Sequence, residues 1–196
     1  ALLERAIRLD PLALRPRLEM VRLFALTGAW MQVDALLGHE SNDPRAVPLW
    51  WMITGRMAVW RKDPAWAKKW LSQPGDESLG CRRGKRMLRL VASEDGSAAL
   101  SDEELRTLFG SDEQMNPRRR LVLHQGRVEL FCFEQKPAAA LLALADCISD
   151  GLCDLLWMDL CPLLQPLRND PRFVSFRQVV AARAMQIRAA MDAPLP

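Results

Sequence analysis

Residues 50–71 read WWMITGRMAVWRKDPAWAKKWL. Asp63-Pro64 divides this stretch into a longer and a shorter helical segment, because Pro suits the first helical turn and Asp caps it. Gly55 and Ala67 are small enough to let the two helices of a hairpin approach, while Trp51 and Leu71 fill the gap between hairpins. A helix, a short turn and a second helix is the unit expected here. The same punctuation recurs at Asp10-Pro11, Asp43-Pro44, Asn116-Pro117 and Asp170-Pro171, and Pro137 marks a further start. The segments 101–104 (Ser-Asp-Glu-Glu) and 111–114 (Ser-Asp-Glu-Gln) spell capping boxes.

Working outward, Leu14, Leu18, Val21 and Ala25 follow helical spacing, and Met20, Leu23, Phe24 and Leu26 widen the stripe, as in a helix packed on two sides. Near the far end Phe173, Phe176, Val180, Ala184, Ile187 and Met191 form one stripe, with Arg172, Arg177, Arg183 and Arg188 between them. Alternating β-branched runs are absent, so an all-α fold is expected. The helices are placed at 1–9, 12–27, 29–38, 44–61, 65–72, 79–91, 102–109, 117–134, 137–149, 152–158, 162–167 and 171–191, with a loop over 92–99.

Sliding the chain by 34 residues pairs Arg22 with Arg56, Phe24 with Ala58, Val33 with Ala67 and Leu37 with Leu71. A helix–turn–helix period of this length resembles the tetratricopeptide repeat, and Trp51, Gly55, Ala67 and Leu71 stand at its large and small packing positions. Phe24, Gly28, Trp30 and Leu37 match more weakly, and 121–152 matches through Phe131, Ala140, Leu144 and Cys147. The opening Leu3, Ala6 and Asp10-Pro11 resemble the second helix of an earlier repeat, so the chain is expected to be a segment of a longer protein. The stretch 151–173, from Trp157 through Pro162, Leu163, Leu167, Arg168, Asp170 and Pro171 to Phe173, resembles the closing segment of such arrays in bacterial multidomain signalling and regulatory proteins. There Trp157, Leu163, Leu167 and Phe173 would cover the end of the stack. The resemblance implies a right-handed helical-hairpin repeat array, an α-solenoid with a C-terminal capping helix. One helical domain over 1–196 is expected, with N-terminal repeats at 1–91, an irregular linker hairpin at 92–116, and a repeat plus cap at 117–196. The alternative is an irregular helical solenoid of another kind.

Composition bounds the function. With 49% hydrophobic and 26% charged residues the chain is not disordered. The net charge is only +3, and a nucleic-acid module usually carries a heavier excess. Two basic runs, 82–86 and 118–120, read as solvated helix faces. Five cysteines, an odd number without a C-x-x-C pair, fit a reducing cytoplasm. No apolar run is long enough to span a membrane.

No Gly-rich phosphate loop or nucleophile elbow is spelled. His39 and His124 stand at no metal-ligand or nucleophile spacing from the cysteines, and Asp102, Glu103 and Glu104 read as ordinary first-turn acids. Neither an enzyme nor a cofactor is expected. Trp50, Trp51, Trp60, Trp66 and Trp70 fall within 21 residues, and core packing is the reading favoured over a binding surface. The tetratricopeptide resemblance implies a groove lined by first helices. On this chain that gives Arg15, Leu18 and Arg22, then Met52, Arg56 and Trp60, then Gln125 and Glu129. Arg22 and Arg56, one period apart, would clamp a carboxylate or an acidic peptide. A protein-binding module is therefore the expected function, and a nucleic-acid-binding repeat using the arginine runs is the alternative.

Overall fold

The computed structural model describes residues 2–10, 13–38, 47–93, 99–110 and 115–192. Every regular element among them is helical, as expected. The starts assigned to Pro11 and Pro44, the capping box at 111–114 and His39 lie outside the described residues. No described helix is long and apolar enough to cross a membrane. The chain falls into two compact units, Ala1–Ser101 and Asp102–Pro196. The boundary lies inside the stretch 92–116 that was read as a linker hairpin.

The first unit holds α1 (Leu2–Leu9), α2 (Leu14–Leu26), α3 (Trp30–Leu37), α4 (Val47–Arg61), α5 (Pro64–Leu71) and α6 (Leu79–Ala92). Helix α4 lies at its centre, packed on α2 and most extensively on α6, and its residues from Ile53 to Trp60 are all buried. Glycine makes the α4–α6 approach possible. A Cβ added to Gly55 would sit 2.7 Å from the Gly84 carbonyl oxygen, and one added to Gly84 would collide with the Trp51 carbonyl. Gly55 therefore serves the contact with α6 rather than closing a hairpin with α5, which corrects the role read from sequence. All five clustered tryptophans are buried, with Trp50–Trp70 and Trp66–Trp70 meeting edge to face at 5.0 and 5.7 Å.

Helices α3, α4 and α5 are tied by one carboxylate. Asp34 accepts hydrogen bonds from Trp66 Nε1 at 2.7 Å and from the Arg61 guanidinium at 3.0 Å, and that guanidinium lies 5.5 Å from the Trp30 and Trp66 ring centres. Asp63 accepts from the Trp66 backbone N–H, so Asp63-Pro64 caps and starts α5 as its spelling implied.

The second unit holds α7 (Asp102–Phe109), α8 (Pro117–Phe133), α9 (Pro137–Ser149), α10 (Leu155–Leu160), a 3-10 segment (Pro162–Leu167) and α11 (Pro171–Asp192). The 3-10 segment stood as an ordinary helix in the sequence reading. Pro162 opens it and Pro166 lies inside it, where a missing N–H and a rigid ring disfavour a longer α-helix. Trp157, Leu163, Leu167 and Phe173 are all buried in this unit's core. Arg183 reaches from α11 to the Ile148 and Leu152 carbonyls, satisfying groups that the end of α9 leaves without helical partners. Beyond Ala184, α11 has no buried face: the stripe read across its whole length ends with Ile187 and Met191 48% and 75% exposed.

Three helix ends share one closure. The N–H groups of Ala29, Lys136 and Leu152 donate to the carbonyls of Phe24, Phe131 and Cys147, with Gly28, Gln135 and Gly151 at positive φ just before them.

Two substitutions test these constraints. Gly84→Ala gains about 1 kcal/mol of helix propensity, yet a net loss of about 1–2 kcal/mol is expected from overpacking. A urea midpoint equal to that of the parent chain would show that the crossing is looser than described. Gln135→Gly removes left-handed strain at φ 58° and should raise stability by about 0.5–1 kcal/mol, read as a higher midpoint with the same slope.

Candidate functional site

The eight residues expected to line a groove do not form one open surface. On α2, Arg15 is exposed, Leu18 is buried, and Arg22 is half-buried with its Nε 3.0 Å from Glu19 Oε2. On α4, Met52 is half-buried, while Arg56 and Trp60 are buried at 4% and 3% exposure, the guanidinium lying 5.5 Å from the Trp60 ring centre. On α8, Gln125 and Glu129 are buried, and Glu129 accepts a 2.8 Å hydrogen bond from Trp157 Nε1. The physical reason is that α4 and α8 are each packed on more than one side. Residues four apart on such helices reach neighbours instead of solvent. Arg22 and Arg56 are thus engaged locally in different ways, one with Glu19 and one over Trp60.

The basic runs also divide. Arg83 is 4% exposed, which corrects the solvated-face reading for that residue, whereas Arg82 is exposed and Lys85 and Arg86 are half-buried. In the second run Arg118 and Arg119 are exposed. Arg120 instead donates two 2.7 Å hydrogen bonds to Asp150.

That last pair belongs to a polar cluster between α8 and α9. The His124 imidazole has Nε2 3.5 Å from Asp150 and Nδ1 3.7 Å from Asp146, and Arg127 lies 3.8 Å from Asp146. Burial pushes the His124 pKa below its ordinary value, against the opposite pull of Asp146 and Asp150. The Arg120 hydrogen bonds hold the Asp150 carboxyl below the usual carboxylate range. Burial pushes the Cys147 thiol strongly upward, so it is protonated near neutral pH and is an inert packing group. Cys81 and Cys161 are buried as well. No group of three or more potential metal ligands occurs among the described residues.

A surface that sequence reasoning did not single out lies on α10 and α11. Arg177 of α11 forms a two-point pair with Asp159 of α10, at 2.6 and 2.9 Å, which places the two helices side by side. Around this pair Leu156 and Leu160 on α10, and Val174 on α11, are each 40–44% exposed. Leu156 and Leu160 are four residues apart and hence share a helix face with the flank of Asp159. Their signal was present in the sequence, as apolar residues in a short helix that already had Trp157 and Met158 for its buried side. The chain gave no match among protein-family models, curated proteins or solved structures.

The His124 cluster has a consequence for acid stability. Because the folded pKa lies below the unfolded one, the unfolded chain takes up the proton first as pH falls. Stability should therefore drop below about pH 6.5 and drop further through the carboxylate range near 4 as Asp150 loses its pairing. Urea midpoints measured against pH should show this, and His124→Gln should flatten the upper part of the fall. A parent midpoint that rises on acidification would contradict the assigned direction.

Proposed function

We propose that the chain is a non-catalytic protein–protein interaction module that binds a peptide or protein segment on its helix surfaces. The observation that carries this reading is the α10–α11 surface, where exposed leucines and a valine surround an Arg–Asp pair. Grouped exposed apolar side chains mark a protein-binding patch better than scattered single ones do, and the Arg177–Asp159 pair, closed on itself, sets the two helices side by side beneath them. In this reading recognition uses this face, and the burial of Arg56, Trp60, Gln125 and Glu129 supports that choice over the groove positions read from sequence.

The architecture proposed with it is a right-handed array of helical hairpins of the tetratricopeptide kind, closed by α11. Two observations support it. The positive-φ residues Gly28 and Lys62 close α2 and α4 and stand 34 positions apart, since 62 − 28 = 34. The closures after α2 and α8 use the same hydrogen bond, Ala29 to Phe24 and Lys136 to Phe131. A bacterial signalling or regulatory setting rests on the resemblance of residues 151–173, and a cytoplasmic one on the five cysteines without a C-x-x-C pair.

A photo-crosslinking residue at Leu156 or Val174 tests the reading in cells. Discrete protein adducts are expected at both positions, and they should disappear when Leu160→Glu is added without change in the thermal midpoint. The same probe at Leu142, an isolated exposed leucine at 71%, should give none. Equal labelling at Leu142, or adducts with nucleic acid in place of protein, would defeat the proposal.

A further inference from the structure

Helix α6 reads LGCRRGKRMLRLVA and contains five cations and no acid. Its buried side is accounted for by Cys81, Gly84, Met87, Leu88 and Val91, with Arg83 among them. The remaining four cations, Arg82, Lys85, Arg86 and Arg89, share one face. At 100° per residue they fall within an arc of about 100°, and Arg82 and Arg89 are separated by about 10 Å along the axis.

The four are not equivalent. Arg86 donates through Nη2 to the Ala99 carbonyl at 3.1 Å, and the Lys85 ammonium lies 5.1 Å from the Trp51 ring centre. The Lys85 contact holds its side chain without neutralising it, and Arg86 is engaged by other groups as well. Arg82 and Arg89 are exposed and have no carboxylate partner among the described residues. Several arginines elsewhere do lie on acids, as in Arg61–Asp34, Arg172–Asp170 and Arg177–Asp159. Before α6, the Asp76 carboxylate accepts from the Ser78 hydroxyl at 2.6 Å and from its N–H.

We propose that the outward face of α6 is the docking site for an acidic segment of a partner protein, with carboxylates spaced to meet Arg82, Lys85 and Arg89. The inference rests on the reading of the chain as a protein-binding module and assigns to it a second, electrostatic face. Charge complementarity selects the occupant. One held ammonium flanked by two exposed guanidinium forks suits several carboxylates within about 10 Å, and each fork offers two-point recognition. A single nucleic-acid strand is the poorer fit, because strand binding adds stacking on aromatic rings to phosphate contacts. Here the clustered tryptophans are all buried, Trp51 under Lys85 included. An anionic membrane fits less well, since peripheral helices insert apolar residues and no large exposed apolar side chain lies on α6.

The test is a fluorescence titration of the full chain with a short helical peptide carrying Glu at matching i, i+3 and i+7 positions. Its Gln counterpart, a single-stranded oligonucleotide and phosphatidylserine vesicles serve as the competing probes. The Glu peptide is expected to bind about tenfold or more tightly than the Gln peptide, with affinity falling as salt rises. Arg82→Glu with Arg89→Glu should abolish that preference while leaving the thermal midpoint in place, and Arg118→Glu with Arg119→Glu should leave it intact. Equal binding of the two peptides, indifference to the α6 charge reversal, or tighter binding of oligonucleotide or vesicle would each overturn the proposal. Crosslinking through Leu156 in the parent chain separates the two readings. Adducts there together with equal binding of the Glu and Gln peptides mean that only the α6 assignment has failed, and absence of adducts there means that the module reading has failed.

Discussion

The first unit depends on how close α4 and α6 come at Gly55 and Gly84. There is no room for a methyl group on either residue, because each looks onto the other helix's backbone. A backbone-to-backbone approach of this kind fixes the separation of the two helices, so the residues on either side of the crossing have their environments decided. Trp51 is pressed between the helices, Arg56 is carried inward with its guanidinium over Trp60, and Arg83 is buried next to Gly84. The same rotation of α6 turns Arg82, Lys85, Arg86 and Arg89 outward. Burial of α4 and the cationic face of α6 are two results of a single contact.

This contact also explains what could and could not be read in the sequence. Helix positions were legible, since Asp63-Pro64, Asn116-Pro117 and Asp170-Pro171 cap and start α5, α8 and α11 through local hydrogen bonds that involve no distant residue. Partner choice was not. Gly55 announces that some helix approaches closely, and only the fold says that it is α6 and not α5. The 3-10 segment was misread for a local reason, the second proline at Pro166, whose weight against α geometry depends on how the chain packs after Trp157.

The candidate site was less legible than the fold, and the reason is the same in both units. A repeat register says which positions face inward along a helix, but not whether another helix already occupies that side. Arg56 and Glu129 are charged residues at positions that the register assigns to a groove, and both are buried. Glu129 is satisfied by the Trp157 indole, a partner 28 residues away that spacing could not identify. A charged residue in an amphipathic pattern signals that polarity is required there, and solvent is only one of the ways to meet that requirement.

Charge placement then separates structural from available cations. An arginine two-point bonded to a carboxylate, such as Arg120 on Asp150, has spent its directional hydrogen bonds inside the molecule, and a ligand must displace the acid to use it. Arg22 on Glu19 stands in the same position, which weakens it as half of a clamp. An exposed guanidinium with no carboxylate among the described residues, as in Arg82 and Arg89, keeps its donors for a ligand. By this criterion the strength of a cationic surface is set by what its members are already bonded to, not by the number of arginines in the run. The segment 82–89 meets it on α6, whereas the run 118–120 loses its third member to Asp150 and leaves only Arg118 and Arg119 exposed at the start of α8. Two cations at a helix N-terminus face the positive end of the helix dipole, which adds to their mutual repulsion without organising them about an anion. On α6 the cations run the length of the helix, from Arg82 in the first turn to Arg89 in the last, where the dipole favours a cation. The spacing of the helix itself sets the pattern of carboxylates that would fit.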